Sequence, residues 1–395
     1  MLTPSPEDAP APDSWLRGVR GPGESGSDWG ATRPALLTET APSDIFKPWE
    51  TAQGILLGVS GGPDSVALML LAARWSRGNP SRPPVHVATV DHGLRKGSRE
   101  EAEAVSRWAG ALGLPHNILV WEGVKPSTRV QERAREARYA LLFHHAAKTG
   151  ADHVMTAHHA DDQAETILFR LVRGSGVSGL AGMASSVARG GLTLARPLLQ
   201  YPKAELVALC EAEAHPYFRD PSNDDPGYAR TRIRHLGAIL ARQGFGRDAL
   251  LRLGKRMARA ETALAARARA LRDKLDARRE PGSFEADLSP FASEPEEFLL
   301  RLLADELNVI SGKPLRLDRL EALAAKLGQA LRAGSSFSAT LGGAVFRLKS
   351  SRILIIVKEG RRRARFSSRA DAEGREHGPC CKDSKDALGK GLNQA

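Results

Sequence analysis

The chain is poor in cysteine and has no long apolar run. Its three cysteines in 395 residues include the adjacent Cys380 and Cys381. They cannot build a disulfide framework, and no C-x-x-C pair is present to hold zinc or an iron–sulfur cluster. No stretch approaches the roughly 20 apolar residues of a membrane-spanning helix. The first residues lack a basic-then-apolar signal pattern, and their acidic side chains argue against a transit peptide. These absences leave the expectation of a cytoplasmic protein in a reducing compartment, with no membrane partner. The common mononucleotide loop GxxxxGK[ST] is missing as well, and there is no internal repeat.

What the chain does have is basic charge. Lys and Arg number 57 against 46 Asp and Glu, a net +11, which argues for a polyanionic partner more than for any fold. The length suits two domains, or one large and one small. A hydrophobic share of 42% with 38 Gly and 24 Pro suggests ordered domains between floppy ends.

Residues 1–45 carry Pro, Gly, Ser and acid without an apolar period and read as a disordered extension. From residue 46 to 226 short apolar runs alternate with helical spacings. Strands are expected at 54–60, 85–90, 118–121 and 153–157, with helices at 64–75, 101–112, 130–148 and 165–172. Repeated strand–helix units imply a doubly wound α/β domain, a parallel sheet with helices on both faces. Its ligands belong beyond the C-terminal strand ends.

Residues 227–281 form a basic helical segment, expected as a linker. Residues 228–279 hold 15 Lys and Arg against 4 Asp and Glu. Leu250, Leu253, Met257, Ala260, Leu264, Ala268, Leu271 and Leu275 trace one helix with an apolar seam, broken at Pro281-Gly282. So lopsided a charge exceeds what a solvated helix face needs. Arg230, Arg232 and Arg234 lead this segment and are candidates for RNA phosphate, bound through shape and charge. The seam serves a homodimer or an interdomain contact equally well. Residues 282–359 read as a small α+β domain, with helices at 298–307 and 317–331 and strands at 344–349 and 352–358. Residues 360–395 read as a disordered basic tail.

Ser60-Gly61-Gly62-Pro63-Asp64-Ser65 follows a buried strand and opens a helix. Two glycines let the backbone curl around an anion, and the helix N-terminus aims N–H groups at it. Ser60 and Ser65 add hydroxyls. Asp64 would repel a phosphate unless a Mg²⁺ ion bridges the two. The plain alternative is a glycine turn whose aspartate caps a helix.

This hexapeptide resembles the signature of the PP-loop, or N-type, ATP pyrophosphatases, which cleave ATP between its α and β phosphates and adenylate a substrate oxygen. Further blocks resemble the tRNA(Ile)-lysidine synthetase family within it. They are Val90-Asp-His-Gly-Leu-Arg95, Ala134-Arg-Glu-Ala-Arg-Tyr139, Thr156-Ala-His-His-Ala-Asp-Asp-Gln-Ala-Glu-Thr166, Arg196-Pro-Leu-Leu199, Asp220-Pro-Ser-Asn223 and Arg230-Thr-Arg-Ile-Arg234. The resemblance covers roughly residues 50–240 and, more loosely, 284–358. It implies a Rossmann-like fold, ATP and Mg²⁺. The implied substrates are an isoleucine tRNA with a CAU anticodon and free L-lysine, whose ε-amine replaces the adenylated C2 oxygen of the wobble cytidine.

With a helix starting near His158, His158, Asp162 and Glu165 share one face. Asp162 is then a second Mg²⁺ carboxylate or the base for lysine, and His158 an α-phosphate contact or proton shuttle. An acid-rich first turn capped by Asp161 is the plainer reading. Arg138 becomes an active-site cation through the resemblance, while Arg135 stays between that role and a solvated flank. His92 and Arg95 either touch the nucleotide or cytidine, or merely follow a turn that ends a strand. Two other activities share parts of this pattern. A tRNA thiolase needs a reactive cysteine, and a small-molecule amide synthetase does not need the basic helix. A non-enzymatic RNA-binding module would have no use for the phosphate loop.

Overall fold

A computed structural model describes residue 37 and residues 41–94, 97–123, 125, 128, 130–218, 229–312 and 316–360. Arg95, the Asp220–Asn223 block, Cys380 and Cys381, most of the N-terminal extension and the basic tail lie outside the described residues, and Arg230 is described by its backbone alone. The chain divides into two compact units, residues 1–274 and 275–395.

The first unit holds a six-stranded sheet of β1 (Ile55–Gly58), β2 (Val85–Asp91), β3 (His116–Val120), β4 (His153–Met155), β5 (Ser186–Arg189) and β6 (Leu192–Ala195). Their order is β3-β2-β1-β4-β6-β5, parallel throughout except for the antiparallel edge strand β5. Its helices are α1 (Ala41–Phe46), α2 (Pro63–Arg77), α3 (Ser98–Ala111), α4 (Val130–Thr149), α5 (Ala160–Val172), α6 (Val177–Leu180), α7 (Lys203–Ala212), α8 (Ala229–Arg242) and α9 (Arg247–Arg272).

Strand β1 shows why the sheet is covered on both sides. Ile55, Leu57 and Val59 point into a core with Val66, Leu70, Leu206 and Leu209, whereas Leu56 points into another with Tyr139, Leu142 and Val154. Alternation along a strand forces this division. Chain order reverses between β1 and β4, which opens a crevice beyond their C-terminal ends. The loops after those two strands, with the first turns of α2 and α5 that follow them, carry residues 60–65 and 156–162.

Three features depart from the sequence expectations. Helix α1 lies inside the stretch read as disordered, where Ile45 and Phe46 are buried and Phe46 stacks on Trp75. The β5–β6 hairpin has no counterpart among the expected strands. The basic segment is not a free linker: Ile233, Leu236, Leu240, Leu250 and Leu253 of α8 and α9 pack on Ala164, Ile167 and Leu168 of α5. A Cβ on Gly254 would lie 2.6 Å from Ile167 Cδ1, so a larger residue there requires that side chain or α9 to shift.

The second unit is an antiparallel sheet in the order β7-β8-β11-β10-β9. Its strands are β7 (Ala277–Glu280), β8 (Ser283–Asp287), β9 (Phe337–Leu341), β10 (Ala344–Leu348) and β11 (Ile353–Lys358), joined by helices α10 (Glu296–Ser311) and α11 (Leu317–Ala333). Pro281-Gly282 does not end the long helix, which stops at Arg272; it turns the β7–β8 hairpin, with Gly282 at φ +81°. No described helix is long and apolar enough to cross a membrane.

Candidate active site

The phosphate loop has the shape its residues call for. Gly61 sits at φ +87°, a conformation that side chains resist. Its carbonyl accepts the Phe218 N–H at 2.8 Å. A Cβ on Gly61 would lie 2.7 Å from the Phe218 ring, which stacks on Trp108. Gly62 then caps α2, with Pro63 in the first turn where its missing N–H costs nothing. Ser65 stabilises the loop itself: its hydroxyl donates to the Gly62 carbonyl at 2.9 Å and accepts the Ser60 N–H at 3.2 Å. Ser60 remains exposed.

Asp64, in the first turn of α2, carries the most informative atom. Its Oδ1 is buried with no hydrogen-bond partner. Its Oδ2 lies 3.6 Å from His159 Nε2 and 4.0 Å from Lys203 Nζ. The same imidazole nitrogen is 3.5 Å from Asp162 Oδ2, and His159 Nδ1 is 3.6 Å from Asp161 Oδ2. One buried histidine therefore stands among three carboxylates. Burial alone would push its pKa down, but Asp162, Asp161 and Asp64 together raise it to about 10, which favours the protonated ring.

Helix α5 starts at Ala160, so His158 lies before the helix and does not share a helical face with Asp162 and Glu165. The cap is His159. Its backbone N–H donates to Asp162 Oδ2 at 3.2 Å, and the Asp162 N–H approaches His159 Nδ1 at 3.4 Å. A protonated ring has no lone pair for that amide, so cap and charge are alternatives; three facing carboxylates decide for the charge. His158 Nδ1 instead meets Thr156 Oγ1 at 2.8 Å. Asp161 does not cap the helix: it accepts the Lys203 N–H at 2.8 Å and faces Arg247 at 3.7 Å.

Glu165 turns away from the phosphate loop. It is buried and accepts a hydrogen bond from Arg234 Nε at 2.6 Å. Arg234 is thus committed inward, while Arg232 stays exposed. Arg135 and Arg138 are both exposed on α4. His92 is half-buried just beyond β2, in a turn that Asp91 closes by accepting the Gly93 N–H at 3.0 Å and the Ser98 hydroxyl at 2.6 Å. That hydroxyl lowers the Asp91 pKa, although burial opposes it.

The sequence pattern therefore brings together the loop, Asp64 and Asp162, but misses His159, Lys203, Arg247 and Phe218. His159 has a signal, being one of two histidines packed beside two aspartates. Lys203, Arg247 and Phe218 reach the site only through the packing of α7, α9 and the 215–218 segment, which no local pattern announces.

In chemical terms the crevice offers a glycine loop at a helix N-terminus for phosphate, and carboxylates from the first turns of two helices held beside one imidazole. A buried carboxylate oxygen without a donor suits a hard cation. Asp64 offers such an oxygen, and a hexacoordinate ion needs few protein ligands when waters and phosphates supply the others.

Residues 37–238 match the PP-loop domain family. The tRNA(Ile)-lysidine synthase of Methylobacterium sp. (strain 4-46) is 48% identical over 85% of this chain and 98% of its own length. That of Bradyrhizobium diazoefficiens is 44% identical over 81% of this chain and 94% of its own. A solved structure of the U34-tRNA thiolase NcsA from Methanococcus maripaludis is similar at a TM-score of 0.46 and 18% identity, covering 55% of this chain and 77% of that one. The chain belongs to the tRNA(Ile)-lysidine synthase family, built on a PP-loop ATP-binding domain.

Proposed function

We propose that this protein is the cytoplasmic enzyme that uses ATP to join free L-lysine to the wobble cytidine of an isoleucine tRNA with a CAU anticodon. The observation that carries the reading is the buried, unpartnered Oδ1 of Asp64 beside a glycine loop at a helix N-terminus, with Asp162 across the same imidazole. Asp64 and Asp162 would hold Mg²⁺, which when bound offsets the negative charge of the triphosphate.

The loop N–H groups and Ser60 orient the phosphates of ATP, with His92 at the nucleotide's edge. The C2 oxygen of cytidine attacks the α-phosphorus, and pyrophosphate leaves. The charge that spreads over the α-phosphoryl oxygens is met by donors already in place, which is where such catalysis gains most. His158 and Arg138 are the candidates for that contact. Lysine's ε-amine then attacks C2 of the adenylated base, AMP departs with the oxygen, and Asp162, in the role alternative to metal ligand, takes the ammonium proton. His159 holds the acids of both loops at a fixed spacing throughout, and Arg232 contributes to RNA binding.

The thiolase reading fails at its nucleophile among the described residues. Cys210 is buried, its Sγ faces the Pro63 carbonyl at 3.5 Å, and burial pushes its thiol up to about 12. Sulfur transfer needs a thiolate that is accessible at neutral pH.

The test is to incubate the protein with ATP, Mg²⁺, unmodified isoleucine tRNA bearing CAU, and labelled lysine. Label should enter the RNA only with ATP present, and Asp162→Ala should abolish incorporation. Pyrophosphate release that depends on tRNA but leaves lysine unincorporated would mean a different nucleophile.

A further inference from the structure

Three arginines gather around Tyr139, a residue of α4 that is only 7% exposed, and a fourth, Arg170, lies within reach of one of them, Arg196. Arg135, one turn earlier, donates from Nη2 to the Tyr139 hydroxyl at 3.3 Å and lies 5.2 Å from the ring centre. Arg189, at the end of β5, stands 5.5 Å from the ring centres of both Tyr139 and Phe143. Arg196, just past β6, is within electrostatic reach of Tyr139, Arg135 and Arg170. Arg170 is satisfied by the carbonyls of Gly179 and Gly182, both at 2.8 Å. Arg196 is satisfied only in part: one Nη donates to the Ala184 carbonyl at 2.7 Å and the Tyr139 hydroxyl is a further partner, but its Nε is buried with no acceptor.

No carboxylate pairs with any of these four among the described residues. Elsewhere in the same unit the buried cations do have acids: Arg234 has Glu165 and Arg247 has Asp161. Unneutralised guanidiniums close together repel one another, and a desolvated donor without an acceptor is costly. Burial accordingly lowers the Arg196 pKa. Such a cluster gains stability when an anion arrives to accept from it.

The surroundings indicate which anion. Between α4 and the β5–β6 hairpin runs an open groove of about 360 Å³, floored by Tyr139, Phe143 and Leu192 and rimmed by Arg189 and the Gly190-Gly191 turn. Arg189 is exposed along it, and Arg135 is exposed one turn before Tyr139 on α4. A free amino acid would also need an acid for its α-ammonium, and the groove's acid, Glu136, is paired with Arg133 at 3.6 Å. An open channel with exposed guanidiniums and aromatic faces is the form that binds an RNA backbone.

We propose that Arg135, Arg189 and Arg196 form a second anion site, separate from the ATP loop, that grips a backbone phosphate of the bound RNA. Its assignment to tRNA rests on the function proposed above. A phosphate here adds a fixed point on the catalytic unit itself, besides the basic helices α8 and α9.

The test is the salt dependence of RNA binding. The affinity of full-length protein for the unmodified isoleucine tRNA transcript is measured from low to moderate salt for wild type, Arg189→Ala, Arg135→Ala and Arg189→Lys. Losing the grip on one phosphate should reduce the slope of log affinity against log salt by about 0.7–0.9. Both alanine variants should show that reduction, with ATP affinity and melting temperature unchanged, and Arg189→Lys should keep the wild-type slope. Wild-type slopes in both alanine variants would overturn the site. A raised lysine KM with an unchanged slope would also overturn it, moving these arginines to an amino-acid carboxylate. Lysidine formation by the wild type is scored separately, so a protein that binds RNA but makes no lysidine ends the proposed function while the slopes still judge the phosphate site.

Discussion

At the scale of single residues, His159 is the side chain on which the site's electrostatics depend. It is buried and equidistant within a tenth of an ångström from acids in the first turns of two different helices, which favour its positive charge. Removing one member of such a buried charge group leaves the others uncompensated, at a cost of about 3–5 kcal/mol. His159→Ala should therefore lower the unfolding free energy in urea by about 3 kcal/mol, and His159→Gln should recover only a part. A loss under about 1 kcal/mol would mean that the ring merely caps a helix. The sequence could not choose between His158 and His159, because the choice depends on where α5 begins. A shift of two residues exchanges a side chain ahead of the helix for its cap. Asp64 was legible for the opposite reason: an acid set in a glycine-rich phosphate loop repels its own ligand unless a cation stands between them.

At the scale of elements, the legible parts were those with a strong period. The strand–loop–helix from β1 to α2 and the seam of α9 follow directly from apolar spacing. The β5–β6 hairpin does not, since Ser186–Arg189 is exposed along its whole length and has no apolar alternation to read. The docking of α8 and α9 on α5 was hidden by charge, which dominates their composition while only a narrow apolar stripe makes the contact. Gly254 marks that contact. Gly254→Leu should push α9 off Ile167 and cost about 1–3 kcal/mol, as overpacking does. Adding Ile167→Ala should return part of that loss, and chemical denaturation of the four proteins in the cycle measures the coupling. Strict additivity would show that α9 yields without touching Ile167.

For the whole molecule, the net charge of +11 is concentrated in α8, α9 and their surroundings, which makes long-range attraction to a polyanion the first event in binding. Affinity for tRNA should fall steeply with salt, by about 10³–10⁵ between 50 and 200 mM if six to ten phosphates are contacted. A filter-binding or fluorescence titration decides it, and a flat response would remove the electrostatic account.

Helix α5 also restricts how this protein can change over generations. Asp162 faces His159 beside the phosphate loop and Glu165 anchors α8, three residues apart on one rigid rod. Inserting or deleting a single residue between them would swing one of the two side chains by about 100° around the helix axis. Substitutions can accumulate on the outer face of α5 and in the loops at either end. The count of residues from 159 to 165 cannot drift, so lineages that keep the activity are expected to differ in the length of everything around this segment before they differ in its own.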